Sequence, residues 1–71
     1  MREFIMSKLG ILGTGRMGIR LAKMLAEVGQ QVILGSRNID RATKIVQGLG
    51  IPNLTAGNYE DAANADVIVF G

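Results

Sequence analysis

A short glycine pattern near the start of the chain has the spacing of a phosphate-binding loop. Its residues are Gly13, Thr14, Gly15, Arg16, Met17 and Gly18, in the pattern Gly-x-Gly-x-x-Gly. In such a loop the first glycine makes a tight turn, the second lets the backbone approach a pyrophosphate, and the third lets the next helix lie against its strand. The free N–H groups and positive dipole end of that helix favour phosphate. The pattern therefore predicts a site for the pyrophosphate of a dinucleotide.

Several side chains of this loop also have an ordinary structural explanation. Arg16 is equally well explained as a solvated residue of the first helical turn, and Thr14 as a residue that packs within the loop. Met17 is interpreted mainly as a core residue, together with Met24, because methionines at helical spacing usually fill gaps. The rival phosphate loop of nucleoside triphosphatases requires Gly-Lys-Ser or Gly-Lys-Thr. Neither occurs in the chain, which excludes that rival.

A second polar set, Ser36, Arg37 and Asn38, follows the next apolar run. A dinucleotide unit that prefers NAD carries an acidic residue here, which accepts hydrogen bonds from the ribose. Ser36 can instead donate to a 2′-phosphate, and Arg37 can pair with that phosphate through its planar fork. The alternative for Arg37 is an exposed residue at a strand end, and Asn38 is mainly a helix cap that could also touch the phosphate. The set favours NADP over NAD.

Hydrophobic periodicity predicts the elements that position these residues. Apolar runs at 9–13 and 32–34 are typical of buried parallel strands. Between them, apolar residues recur at helical spacing from Arg16 to Val28, and Gly29 is placed to end the helix. The apolar stripe predicted for this helix is Met17, Leu21, Met24, Leu25 and Val28. The glycine loop therefore joins a strand to a helix.

The rest of the chain repeats the alternation of strand and helix. Asn38 and Gly50 mark the two ends of a second predicted helix, and residues 54–56 are predicted to form a weak third strand. Asn58 is predicted to cap a brief helix with Asp61 as its capping partner, and residues 67–70 are predicted to form a fourth strand. The pattern predicts an α/β fold, a partial Rossmann fold whose parallel four-stranded sheet has the order 3-2-1-4 with flanking helices. Residues 1–71 are expected to form one incomplete NAD(P)-binding Rossmann domain, with residues 1–6 as an N-terminal extension.

Composition excludes several functions. The chain has 71 residues with no cysteine and no histidine, so we predict no catalytic residue and no metal ligand. Its eight Lys and Arg residues are scattered and only 4% of residues are aromatic, which argues against a nucleic-acid partner. No apolar run approaches the roughly 18 residues of a membrane span, and no signal peptide is visible, so a cytoplasmic protein is expected. The apolar strand 67–70 is an unprotected edge, which predicts a homo-oligomer.

Three segments together resemble a known family. They are Leu9-Gly-Ile-Leu-Gly-Thr-Gly-Arg-Met-Gly18, Val32-Ile-Leu-Gly-Ser-Arg-Asn38 and Ala65-Asp-Val-Ile-Val69. The chain resembles, from Ser7 onward, the N-terminal segment of NADP-dependent oxidoreductases that use the deazaflavin coenzyme F420. It is similar, less specifically, to pyrroline-5-carboxylate reductases. The resemblance implies that Ser36 and Arg37 contact the 2′-phosphate and that the three loop glycines hold the pyrophosphate.

The resemblance also implies a function. The chain would be the NADP(H)-binding N-terminal portion of an oxidoreductase that transfers hydride between NADP(H) and F420. Hydride transfer of this kind depends on holding two rings face to face, which requires no histidine. Members of the family continue well beyond this segment and supply the second pocket there, so we expect the chain not to be catalytic alone. Two alternatives remain open: a stand-alone module that binds or senses NADP without chemistry, and an inactive truncated remnant.

Overall fold

The computed structural model describes residues 8–70, which form four strands and three helices in alternation. The elements are β1 (Lys8–Leu12), α1 (Arg16–Glu27), β2 (Gln31–Gly35), α2 (Ile39–Leu49), β3 (Leu54–Gly57), α3 (Tyr59–Ala63) and β4 (Val67–Phe70). The extension predicted over residues 1–6 lies outside the described residues. No helix within residues 8–70 is long and apolar enough to cross a membrane.

The four strands form one parallel sheet in the order β3-β2-β1-β4, which confirms the predicted topology. Leu12 pairs with Gly35 of β2, and Gly35 pairs with Gly57 of β3, so these three strands end at the same edge. Among the described strands, β4 pairs with β1 alone. Val67 and Ile68 of β4 remain 46% and 40% exposed, so this strand forms the apolar edge expected from the sequence.

One face of the sheet carries the main core. The cluster of buried residues is Ile11, Ala22, Ala26, Val32, Leu34 and Leu54. Helix α1 contributes only small residues to its buried side, namely Gly18, Ala22 and Ala26, which recur every four positions and so share one helix face. Small side chains allow the helix axis to approach the sheet closely.

The apolar stripe predicted for α1 is therefore only partly correct. Met17, Met24 and Val28 are 75%, 55% and 71% exposed, so neither methionine fills the core. Leu21 and Leu25 are partly buried and pack at the margin of the cluster. The line of Gly18 and the two alanines faces the strands, and the larger apolar side chains of α1 lie beside this line or on its exposed sides.

The second face of the sheet is covered by α3 through close backbone contact. Gly10, Gly35 and Gly57 of three adjacent strands lie under this helix. A Cβ added to Gly10 would stand 2.0 Å from the carbonyl oxygen of Ala62, and one added to Gly35 would stand 2.6 Å from the Ala62 Cβ. At Gly57 the nearest atoms belong to Asp61, at 2.8 Å. The three glycines form a flat platform, which we call the glycine platform, on which α3 rests.

The predicted helix ends are also confirmed. Asn38 caps α2 by accepting a hydrogen bond from the Arg41 N–H at 3.1 Å. Gly50 ends the same helix in the left-handed region with φ 65°. At α3, the Asp61 N–H donates to Asn58 Oδ1 at 2.7 Å and the Asn58 N–H donates to Asp61 Oδ2 at 3.1 Å, which completes the capping box. The two caps fix where α2 and α3 start at the carboxyl edge of the sheet.

Candidate dinucleotide-binding site

The glycine loop turns the chain sharply between β1 and α1. Gly13 follows the last residue of β1 and has φ 117°, a backbone conformation that residues other than glycine rarely adopt. Its N–H donates to the carbonyl oxygen of Gly35 at 2.9 Å, which ties the loop to the end of β2. This bond brings the glycine loop and the polar set that follows β2 together at one edge.

Helix α1 begins without a side-chain cap. Its N-cap is Gly15, whose backbone is extended (φ −75°, ψ 173°) and which offers no side-chain acceptor to the first helical turn. The first turn also contains no acidic residue. By contrast, Asn38 caps α2 and Asn58 caps α3. The N–H groups that open α1 are thus left for an acceptor that the helix itself does not supply, which is the arrangement of an anion site.

The space in front of this helix end is open. A Cβ built on Gly15 would meet no atom within 4 Å, so the fold does not need glycine here for its own packing. A pyrophosphate does need it, because only a residue without a side chain lets the phosphate oxygens reach the backbone. Gly18 is buried in α1, in agreement with the packing role expected for the third glycine. The residues present fit a dinucleotide phosphate.

Ser36 occupies the first position after β2 and is only 5% exposed. Its N–H donates to the Gly57 carbonyl oxygen at 3.1 Å, and its Oγ accepts from the Asn38 N–H at 3.0 Å. Within the part of the chain that the structure describes, the hydroxyl hydrogen has no hydrogen-bond acceptor. Since buried hydroxyl groups normally have one, a phosphate oxygen that reached this point would complete the bonding of Ser36.

The other loop and strand-end side chains face outward. Arg16, Met17, Arg37 and Asn38 are exposed, and Thr14 is half-buried. The Oδ1 atom of Asn38 is already used as the cap of α2, as the sequence predicts. All nine predicted site residues lie in the two segments that follow β1 and β2, at the carboxyl edge where parallel α/β sheets bind ligands. Their individual contacts with a dinucleotide stay predictions.

A recess on the first turns of α2 adds basic residues that sequence reasoning missed. It has a volume of about 460 Å³ and begins at Asn38, directly after Arg37; its other lining residues are Asp40, Arg41, Lys44 and Ile45. Arg41 and Lys44 are three residues apart and therefore share one helix face. This spacing, read as a continuation of the positive charge at Arg37, is the signal that could have revealed them.

Comparison with known proteins identifies the family. Residues 8–71 match the model of a family described as NADP oxidoreductase coenzyme F420-dependent. The chain belongs to the F420-dependent NADP oxidoreductase family. It is also 34% identical over 78 aligned positions to an F420-dependent NADP reductase of Methanothermobacter thermautotrophicus (strain Delta H). The alignment covers 99% of the chain and 34% of that relative, so the chain spans about a third of the relative's length. No solved structure matches the chain.

Membership of the F420-dependent NADP oxidoreductase family confirms the resemblance inferred from the three sequence segments. The family match begins at Lys8, the first residue of β1, and therefore covers every described element. It also agrees with a site that offers a hydroxyl and a guanidinium, rather than a carboxylate, after β2.

Proposed function

We propose that the chain is the NADP(H)-binding N-terminal portion of an oxidoreductase that transfers hydride between NADP(H) and F420. The observation that carries the proposal is the uncapped start of α1, held beside the end of β2 by the bond from the Gly13 N–H to the Gly35 carbonyl oxygen. Two anion-binding segments thereby stand side by side at one edge of the sheet. A dinucleotide with a 2′-phosphate carries two groups of negative charge that suit them.

The pyrophosphate is proposed to bind at the start of α1. The N–H groups of residues 16–18 supply hydrogen bonds, and the positive end of the helix dipole supplies charge stabilisation. Gly15 leaves the space that the phosphate oxygens require. Thr14 and Arg16 border this position and are proposed as secondary contacts.

The 2′-phosphate is proposed to bind between Ser36 and Arg37. Ser36 offers the hydroxyl hydrogen that has no acceptor among the described residues, and Arg37 offers an exposed guanidinium. Arg41 and Lys44 raise the positive charge of the adjoining recess. An acidic residue, which would repel the phosphate, is missing from the two positions after β2. These features support a preference for NADP(H) over NAD(H).

The contribution of this chain to hydride transfer is proposed to be positioning. Bound NADP(H) supplies or accepts the hydride. The chain's own residues hold the adenosine and pyrophosphate end, which orients the rest of the coenzyme along the carboxyl edge of the sheet. No described residue is assigned to F420, and the curated relative is about three times as long as the segment it shares with this chain. We therefore propose that the chain alone does not catalyse transfer.

The direct test is calorimetric titration of the folded chain with NADPH and with NADH. We expect tighter binding of NADPH, and we expect Arg37→Glu to remove that preference. The matched control is Lys23→Glu, which makes the same charge change at an exposed position about 10 Å along α1 from its first residue. Equal affinity of the wild type and Arg37→Glu for NADPH would refute the assignment of Arg37.

A turnover assay separates the proposal from its alternatives. Oxidation of NADPH by the isolated chain with a deazaflavin acceptor would overturn the proposal that it is not catalytic alone, and would exclude both non-enzyme alternatives. A folded chain that binds neither NADPH nor NADH would instead favour an inactive remnant.

A further inference from the structure

The chain's single tyrosine stands at the carboxyl edge of the sheet and has no part in the contacts assigned so far. Tyr59 is the first residue of α3 and its side chain is 41% exposed. The side chain is therefore partly covered by the fold and partly open to solvent. The Tyr59 hydroxyl makes no hydrogen bond within residues 8–70. The exposed part of the ring and its hydroxyl are thus accessible to a ligand.

The segment that carries Tyr59 lies directly against the segment that carries Ser36. β2 and β3 are neighbours, and Gly35 pairs with Gly57 at the last position of both strands. The Ser36 N–H donates to the Gly57 carbonyl oxygen at 3.1 Å. The carbonyl oxygen of Asn58 stands only 3.0 Å from the point that a Cβ on Gly35 would occupy. The residues after β3 thus abut those after β2.

The packing of α3 also determines which way Tyr59 is turned. Tyr59 and Ala62 are three residues apart and therefore lie on neighbouring parts of one helix face. Ala62 contacts Gly10 and Gly35, so this face is the one that α3 turns to the sheet. Tyr59 lies one turn nearer the carboxyl edge, beyond the glycine platform. Tyr59 therefore stands at the rim of the sheet, where an extended dinucleotide would pass.

We propose that Tyr59 stacks on the adenine base of NADP(H), an inference that rests on the proposed function. The adenine and the 2′-phosphate are carried by adjacent carbons of one ribose, so the adenine must lie beside the 2′-phosphate, away from the pyrophosphate and hence toward the β2–β3 side of the glycine loop. A tyrosine suits this place because its ring offers a flat apolar surface while its hydroxyl stays in water. Stacking on an aromatic side chain needs no pocket, since every base presents a π face.

The chain provides its own probe for this contact. It contains one tyrosine and no tryptophan, so the tyrosine emission comes from Tyr59 alone. The experiment titrates the full chain with 2′,5′-ADP, which carries the adenine and the 2′-phosphate, while emission and heat are recorded in parallel. We expect emission to be quenched along the calorimetric isotherm, after correction with N-acetyltyrosinamide titrated in the same way. Nicotinamide mononucleotide, which lacks adenine, is expected to leave emission unchanged.

Substitution supplies a second readout. Tyr59→Ala is expected to weaken 2′,5′-ADP binding about tenfold, whereas Tyr59→Phe keeps the ring and most of the affinity. Val28→Ala shortens an exposed apolar side chain at the far end of α1 and is expected to leave the affinity for 2′,5′-ADP unchanged. Unchanged emission at calorimetric saturation, or equal affinity of a folded Tyr59→Ala, overturns the stacking contact while NADP binding itself stands. Absence of heat with both 2′,5′-ADP and NADPH overturns the proposed function and this inference together.

Discussion

Replacing Gly10 with alanine places a methyl group where α3 already lies. The added Cβ would stand 2.0 Å from the carbonyl oxygen of Ala62, whereas an ordinary carbon–oxygen contact is about 3.3 Å. The helix must therefore retreat by about 1.3 Å or the strand must bend. Gly10 does not have a positive φ, so the substitution causes no backbone strain and the cost is one of packing. We expect a loss of about 2 kcal/mol in the free energy of unfolding.

The same substitution at the other two glycines of the platform is expected to destabilise the chain less. At Gly35 an added Cβ would meet the Ala62 Cβ at 2.6 Å and the Asn58 carbonyl oxygen at 3.0 Å. At Gly57 it would meet only side-chain atoms of Asp61. A side chain moves more easily than backbone, so Gly57→Ala is expected to cost least, about 1 kcal/mol through the weakened capping box.

Gly48 supplies the matched control, because the same substitution is expected to have the opposite sign there. Gly48 lies within α2 and an added Cβ meets nothing within 4 Å. Alanine is the better helix former by about 1 kcal/mol, so Gly48→Ala should stabilise the chain.

Urea unfolding followed by circular dichroism measures all four variants. The expected order of stability is Gly48→Ala, wild type, Gly57→Ala, Gly35→Ala and Gly10→Ala, and a cost of about 2 kcal/mol corresponds to a lower melting temperature by roughly 10 °C. If Gly10→Ala proves too unstable to fold, the comparison of Gly35→Ala with Gly57→Ala tests the same close packing of α3 on the sheet. Gly10→Ala at or above wild-type stability would refute the close packing of α3.

Three further substitutions test the site and the sheet edge. Gly15→Ala should change the free energy of unfolding by less than about 1 kcal/mol, as measured by urea unfolding. It should weaken NADPH binding at least about tenfold in calorimetry, because the methyl group occupies the space of the phosphate. Unchanged affinity would contradict the pyrophosphate assignment. Asn38→Ala should cost about 1 kcal/mol of stability through the lost cap of α2, again measured in urea. Ile68→Lys should shift the chain toward monomer in light scattering, because a charge on β4 opposes edge pairing; identical mass distributions for both proteins would argue against that edge as the interface.

The features that the sequence predicts best are those fixed by local chemistry. The capping box of Asn58 and Asp61, the Asn38 cap and the left-handed Gly50 each depend on residues within a few positions of one another. The strand order depends on the alternation of strands and helices and on the handedness of crossovers, which are nearly invariant rules. The two segments of the candidate site follow from the same order, because parallel strands end at a common edge.

The features that the sequence does not predict depend on how closely layers approach. Met17 and Met24 look like core residues because they are large and apolar, but the residues that α1 buries are Gly18, Ala22 and Ala26. Gly10 likewise lies in a predicted buried strand with no sign of its role. Its role is visible only when Ala62, 52 positions later, is found against it. Periodicity describes each element alone and carries no information on the distance between two of them.

Glycines that the fold requires differ from glycines available to a ligand in whether other atoms occupy the space that a Cβ would fill. Under Gly10 that space is filled by the carbonyl of Ala62, so the fold accounts for the residue completely. Beside Gly15 the space is empty, and the same position is the N-cap of α1, which lacks the side-chain cap found at Asn38 and Asn58. The fold thus gives up a stabilising cap and gains no packing contact in return. An anion that binds there would supply both the missing hydrogen-bond acceptor and the missing contacts, and it would stabilise the folded chain in proportion to its affinity and concentration.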